Sequence, residues 1–293
     1  MLGFAHALGF GLVTSAIVGL SAVALSLQFS VVPIPNFTHG EFLTIGAYAA
    51  FAFQTVTNNL ILDALAGVAA GTLLALCLNW SLIRPFSRIA KNVVVLVVVT
   101  AAGSQIIESL IAMVFGANDV NVQVPPNVQI AHSWGPFLWT NLDVVIMIAA
   151  VLAMAILHYL LHYTTFGRCQ RAVADDQSLA LAAGINVDRV IVLTWGITGA
   201  LAGLAGVALA ATVGSFNNLL GFNFLLLTFA AAIIGGIGRV YAAIAGALII
   251  GCATEIFGYY GNSSYKIEFA LVLLLLALLL RPRGLFGPQR VAV

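Results

Sequence analysis

The feature that most constrains this chain is a series of unbroken apolar runs, most of them near the ~20 residues that an α-helix needs to cross a bilayer. Eight stand out: Ala7–Phe29, Phe37–Thr55, Leu60–Ile83, Asn92–Phe115, Leu142–Tyr163, Val190–Val213, Phe222–Ile237 and Val240–Gly258. A ninth, Ile267–Leu280, is shorter but follows Tyr265 and Lys266, which suit an interfacial anchor. Of the 293 residues, 62% are hydrophobic and 7% charged, against roughly 25% charged in soluble domains. A membrane β-barrel would alternate apolar and polar residues in ~10-residue segments, whereas these runs are continuous. The sequence therefore predicts an all-α, polytopic transmembrane helix bundle of eight to nine segments, with Phe222–Ile237 short enough to be broken or re-entrant.

Charge sets the orientation. Arg84, Arg88 and Lys91 lie together, as do Arg168, Arg171 and Arg189, and Arg281, Arg283 and Arg290. The loop from Gly116 to Asn141 has no Lys or Arg. Basic loops stay in the cytoplasm. If all nine runs cross, an outside N-terminus and a cytoplasmic C-terminus place every basic group except Lys266 inside. No Lys or Arg precedes Arg84, and the first run exceeds a signal h-region, so it is expected to be a retained span. A net charge of +1 without a basic cluster gives no reason to expect nucleic acid. Cys77, Cys169 and Cys252 are far apart, which argues against a disulfide framework or a cysteine metal site.

Two segments break the apolar pattern. One is VVPIPNFTHGEFLTIGAY, where two prolines precede His39 and Glu41; the other is AAAIIGGIGRVYAAIAG, which is Gly-rich around Arg239. Gly- or Pro-interrupted hydrophobic segments point to a transport pathway. Asn36 or Thr38 as an N-cap, with Glu41 in the first turn, gives a purely structural reading of the first. In the fourth run Thr100, Ser104 and Glu108 recur every four residues, and Gln105 widens the same arc. Such a stripe faces protein or water, either as a pathway wall or as hydrogen-bonding glue between helices. His158 and His162 share a helix face near an inner end, with no third metal ligand evident.

The most polar stretch, GRCQRAVADDQSLALAAGIN, lies within loop 164–189. It predicts a short helix over Arg171–Ala183, closed by Gly184 at C′. Asp176, Ala180 and Gly184 fall on one side of it, a small-residue face suited to docking in another protein's groove. Lipid-surface helices are usually rich in Lys, Arg and bulky apolar residues instead.

The segments NFTHGEFLTIGAYAA, GRCQRAVADDQSLALAAGINVDRV, AAAIIGGIG and RPRGLFG, in this order, resemble the permeases of bacterial branched-chain amino acid ABC importers, of the shorter permease type. The resemblance implies one permease domain over residues 1–293 in the bacterial inner membrane. It implies a second homologous permease, two cytoplasmic ATPases that bind the ATP, and an extracytoplasmic substrate-binding protein as partners. This chain itself would hold no cofactor. The pathway residues are then expected to be Asn36, His39, Glu41, Thr100, Ser104, Gln105 and Glu108. Loop 164–189 becomes the ATPase-coupling loop, with Arg168, Arg171, Asp175, Asp176, Ala180 and Gly184. Two departures stand out: Arg239-Val240-Tyr241 replaces a usual Gly-Ala, and Glu108 stands where relatives often carry an amide. Urea and short-chain amide permeases share Asn36, His39, Gly40 and Glu41, so these residues leave the solute open. An intramembrane enzyme lacks support, since there is no HExxH and no convincing Ser–His or Asp–Asp pair. Neither Lys91 nor Lys266 follows the glycine that a P-loop requires. A self-sufficient secondary transporter is the remaining alternative.

Overall fold

The computed structural model describes residues 2–57, 59–89, 92–125, 128–135, 137–281 and 284–286. Lys91, Arg283 and Arg290, three of the basic residues used to orient the chain, lie outside them. The chain is an all-α helix bundle. Its helices are α1 (Leu2–Val31), α2 (His39–Thr57), α3 (Leu60–Leu78), α4 (Arg84–Ile89), α5 (Val93–Phe115), α6 (Asn141–Tyr163), α7 (Thr165–Asp175), α8 (Gln177–Ala182), α9 (Val187–Val213), α10 (Leu220–Gly235), α11 (Val240–Tyr260) and α12 (Lys266–Leu280). Among the described residues, seven helical spans are long and apolar enough to cross a membrane, and α10 is a shorter apolar helix. The chain is thus a multi-pass membrane protein.

α1 is the most enclosed of the long spans, packed against α6, α9, α10 and α11. α9 packs in turn on α2 and α3. A lipid-like environment gives helices no hydrophobic reason to associate, so close backbone approach must supply the contact. Gly46 of α2 and Gly203 of α9 provide one such crossing: a Cβ at Gly46 would lie 2.5 Å from the Gly203 carbonyl oxygen. α5, α6 and α12 turn Ile106, Leu110, Val151, Ile156, Leu275 and Leu279 outward, as expected for a lipid-facing rim.

α3 continues into α4 through a wide turn over Asn79–Ile83, where the Arg84 amide reaches back to the Asn79 carbonyl. Pro85 follows at once. A proline removes a helix donor and crowds the preceding turn, and the widened turn lets the rod proceed. The loop between α5 and α6 holds structure that the sequence pattern did not anticipate. Strands Ala131–Trp134 (β2) and Phe137–Thr140 (β3) form an antiparallel hairpin. Strand Val120–Asn121 (β1) pairs antiparallel with Ser215–Phe216 (β4), between α9 and α10. The α1 N-terminus, these strands and the α11–α12 junction share one end of the bundle; α7, α8 and the α10–α11 turn share the other.

The expected helix over Arg171–Ala183 is two helices instead. Asp176 is extended (φ −156°, ψ 112°) and its carboxylate caps α8. An Asp side chain that bonds nearby amides offers the backbone an alternative to continued helix. Gly184 does close α8 in the left-handed region, at φ +82°.

Candidate functional site

α2 starts inside the bundle, not at its end. The chain leaves α1 at Val31, turns back through Val32–Thr38 without helix, and resumes at His39. Pro33 and Pro35 favour this extended return, because a proline biases the residue before it away from helix. His39 Nε2 lies 3.2 Å from both the Ser21 hydroxyl and the Ser21 carbonyl of α1. Ser21 precedes Val31 by about 15 Å of helix at 1.5 Å per residue, half the ~30 Å apolar thickness of a bilayer. The α2 N-terminus is therefore at mid-bilayer depth.

Backbone groups at that depth need partners, and polar side chains supply them. The Asn36 side chain accepts hydrogen bonds from the Thr38 amide (3.0 Å) and hydroxyl (2.6 Å) and donates to Gln28 (3.2 Å). The Phe37 amide donates to Thr100 of α5 at 3.3 Å. Thr228 of α10 lies 3.0 Å from the Ser21 hydroxyl. The first turn of α10 also meets the first turns of α2, where the Gly221 amide donates to the Thr44 hydroxyl at 3.1 Å. A Cβ at Gly40 would come within 2.7 Å of the Gly221 carbonyl oxygen. Two helix N-termini, each the positive end of a helix dipole, thus meet inside the apolar bundle.

A carboxylate seam runs beside them. Ser104 of α5 donates to Glu41 Oε1 at 2.8 Å, and Glu41 is fully buried. Its Oε2 has no hydrogen-bond partner among the described residues. One turn further along α5, half-buried Glu108 accepts from Gln105 (3.2 Å) and from Asn218 (3.4 Å), just before α10. Structure thus brings together Asn36, His39, Glu41, Thr100 and Ser104 in the interior and leaves Gln105 and Glu108 at its open edge. It adds Ser21, Gln28, Thr44, Asn218 and Thr228, which sequence reasoning missed. Ser21, Thr44 and Thr228 are isolated hydroxyls in apolar runs, and a search for every polar residue at membrane depth would have found them.

At the α7–α8 end, Gln170 donates to Ser30 at 2.8 Å and Gln177 to the Val31 carbonyl at 2.6 Å. Both bonds tie the loop to α1, nine and ten residues beyond Ser21. Arg171 caps the α6 end by donating to the Leu161 carbonyl. The Ser178 hydroxyl, with the Leu179 and Ser178 amides, holds the Asp176 carboxyl below the usual carboxylate range. Ala180 is a correction to the sequence reading. It packs inward with Val31, Val173 and Val190, so this one residue of the expected docking face meets the chain's own core while Asp176 and Gly184 stay exposed. Leu179 and Leu181 are exposed instead, at 69% and 65%, alongside exposed Arg168, Asp175, Asp176 and Gly184. Ala180 is small where α8 must approach α1 and α9.

The profile of the family described as "Branched-chain amino acid transport system / permease component" matches residues 7–280. The high-affinity branched-chain amino acid transport system permease protein LivH of Escherichia coli K12 is 32% identical, over 96% of this chain and 94% of its own length. The corresponding permease protein BraD of Pseudomonas aeruginosa is 30% identical, over 96% and 95%. The ribose import permease protein RbsC of Bacillus subtilis is 36% identical over a shorter stretch, 45% of this chain and 44% of its own. No solved structure matches the chain.

Proposed function

This chain belongs to the family of permease components of branched-chain amino acid transport systems, and on that premise we propose that it is the membrane-spanning subunit of an ATP-driven importer of branched-chain or other hydrophobic amino acids. The observation that carries the solute reading is the meeting of the α2 and α10 N-termini inside the bundle, beside Ser104, Glu108 and Asn218. An amino acid presents a carboxylate and an ammonium a few ångströms apart. Helix N-termini favour the carboxylate, and Glu108 favours the ammonium. Urea and short amides carry neither charge and would have no use for the pair. Gln105, exposed beside Glu108, extends the path toward the second permease, which completes its wall.

The same reading assigns the α7–α8 end to the cytoplasm and the N-terminus to the outside. Two ATPase subunits bind ATP and grip α7 and α8 from loop 164–189, within a single permease domain. An extracytoplasmic binding protein delivers solute at the β2–β3 end. Gln170 and Gln177 then link the gripped helices to α1, and Ser21 links α1 to the α2 N-terminus. The test is substrate selectivity in the reconstituted complex. Glu108→Gln should raise KM for leucine at least tenfold, a loss of ~1.4 kcal/mol, which is modest for a charge-assisted bond. An unchanged KM would remove Glu108 from ammonium recognition.

A further inference from the structure

A cleft of about 570 Å³ opens at the α7–α8 end of the bundle, between α6, α7, α11 and the segment after α12. Its apolar walls come from Leu161 of α6, Ala174 of α7 and Ala242 and Ala245 of α11. Ala245 lies four residues into α11 from Tyr241, about 6 Å deeper at 1.5 Å per residue. The trough therefore extends a full turn into the apolar slab. It leads toward the outward face of α11, where Leu248 and Ile249, three and four residues beyond Ala245, are exposed.

The rim is cationic. Arg171 of α7 and Arg239 of the α10–α11 turn both line it, with Asp175 as the opposing acid. Each guanidinium is pinned to a wall by one bond, Arg171 to the Leu161 carbonyl and Arg239 to the Phe286 carbonyl. No other side-chain hydrogen bond to either is present among the described residues. A guanidinium has five N–H donors, so most remain available. Tyr241 is held in the rim by two histidines of α6: its hydroxyl lies 2.9 Å from Nδ1 of His158 and 2.9 Å from Nδ1 of His162. A phenol has one proton, so it donates to one imidazole and accepts from the other. The imidazole rings stack at 4.4 Å. The rim thus sets hydrogen-bond donors above an apolar trough.

We infer that this cleft binds an anionic phospholipid of the leaflet at the α7–α8 end, its phosphate between Arg171 and Arg239 and an acyl chain along Ala242 and Ala245. Charge complementarity and the continuity of the trough with the exposed apolar face of α11 select this occupant. Basic pockets between transmembrane helices near the membrane surface bind such headgroups. The lipid would bridge α7, the first helix of the coupling loop, to α11. Lipid composition would then bear on how firmly α7 is seated.

Native mass spectrometry of the assembled complex, titrated with phosphatidylglycerol or phosphatidylcholine, tests the site. Phosphatidylglycerol should be retained in preference to phosphatidylcholine. Arg171→Gln/Arg239→Gln should weaken phosphatidylglycerol by roughly thirtyfold, from two surface cations, and leave phosphatidylcholine alone. Arg171→Lys/Arg239→Lys should keep most of the retention, and Asp175→Asn should increase it. Ala245→Phe fills the trough with both arginines in place and should also lower retention, which keeps the test sharp if the Gln pair fails to fold. Equal retention of both lipids, or wild-type retention in the Gln pair or in Ala245→Phe, would overturn the site. So would displacement of the lipid by millimolar inorganic phosphate alone. Loss of the lipid whenever the ATPases are bound would reassign the cleft to protein docking.

Discussion

Ser104 and Glu41 separate a working pathway from mere interhelical glue. Glu41 is fully buried, Oε1 rests on the Ser104 hydroxyl at 2.8 Å, and Oε2 has no hydrogen-bond partner among the described residues. Thr44, one turn on, is the other hydroxyl close to the same carboxyl. Ser104→Ala therefore leaves a buried carboxyl short of its one direct bond. Stranding a buried polar group costs ~1–3 kcal/mol, or about five- to 150-fold in the folded-to-unfolded ratio at 1.36 kcal/mol per decade. Removing both partners is close to neutral when shape is kept. Glu41→Leu/Ser104→Ala should thus recover most of the lost stability. If the seam lines the pathway, the double variant still fails to transport. The assay is thermal denaturation of the purified complex, followed by leucine uptake in proteoliposomes containing matched amounts of each variant. Recovery of both stability and uptake in the double variant would refute the pathway role and leave the pair as packing. A Ser104→Ala complex as stable as wild type would refute the energetic argument itself.

Further expectations concern the α7–α8 end and the topology. Ala180→Trp should destabilise this chain, because Ala180 is buried against Val31, Val173 and Val190 and overpacking costs about 1–3 kcal/mol; Leu179→Asp should instead reduce ATPase co-purification with little change in the melting temperature of the permease alone. The Asp176 carboxyl is held low by Ser178 and Leu179, so its stabilisation of α8 is present above the unfolded carboxylate pKa of ~3.9 and is lost as pH falls through the lower folded value. Proteolytic nicking near Asp176 should rise in that acid window, and Asp176→Asn should remove the pH dependence. A cysteine at Gln129 should react with an impermeant thiol reagent in intact cells and native Cys169 only after permeabilisation; reaction of Cys169 in intact cells would invert the orientation.

The apolar spans were legible because lipid demands length and continuity, and both are visible in one dimension. Runs as different as Leu142–Tyr163 and Ile267–Leu280 emerge as α6 and α12 nearly to the residue. The pair Pro33 and Pro35 marked an irregular segment, and the chain is non-helical there. The run Phe37–Thr55, however, reads as a full crossing, whereas α2 begins at His39 inside the bundle. Depth was harder: nothing local says that His39 meets Ser21, eighteen positions earlier on another helix. Nor does local pattern reveal that β1 pairs with β4 across the intervening α6 to α9. The break at Asp176 lay inside a helix-forming stretch, and only its bonds to Ser178 and Leu179 show that capping won. Ala180 was placed outward because small residues suit tight docking, and the same property suits tight packing on α1 and α9. Of the candidate site, the α5 stripe was readable from its period of four; its partners on α1, α2 and α10 required the fold.

The most direct measurement is leucine uptake by proteoliposomes that contain this chain, its partner permease and the ATPases, with binding protein outside and ATP within. On the importer reading, uptake should need ATP and the binding protein together, be competed by isoleucine and valine, and be insensitive to urea. Leucine flux through this chain alone without ATP, or saturable uptake of urea with none of leucine, would contradict it.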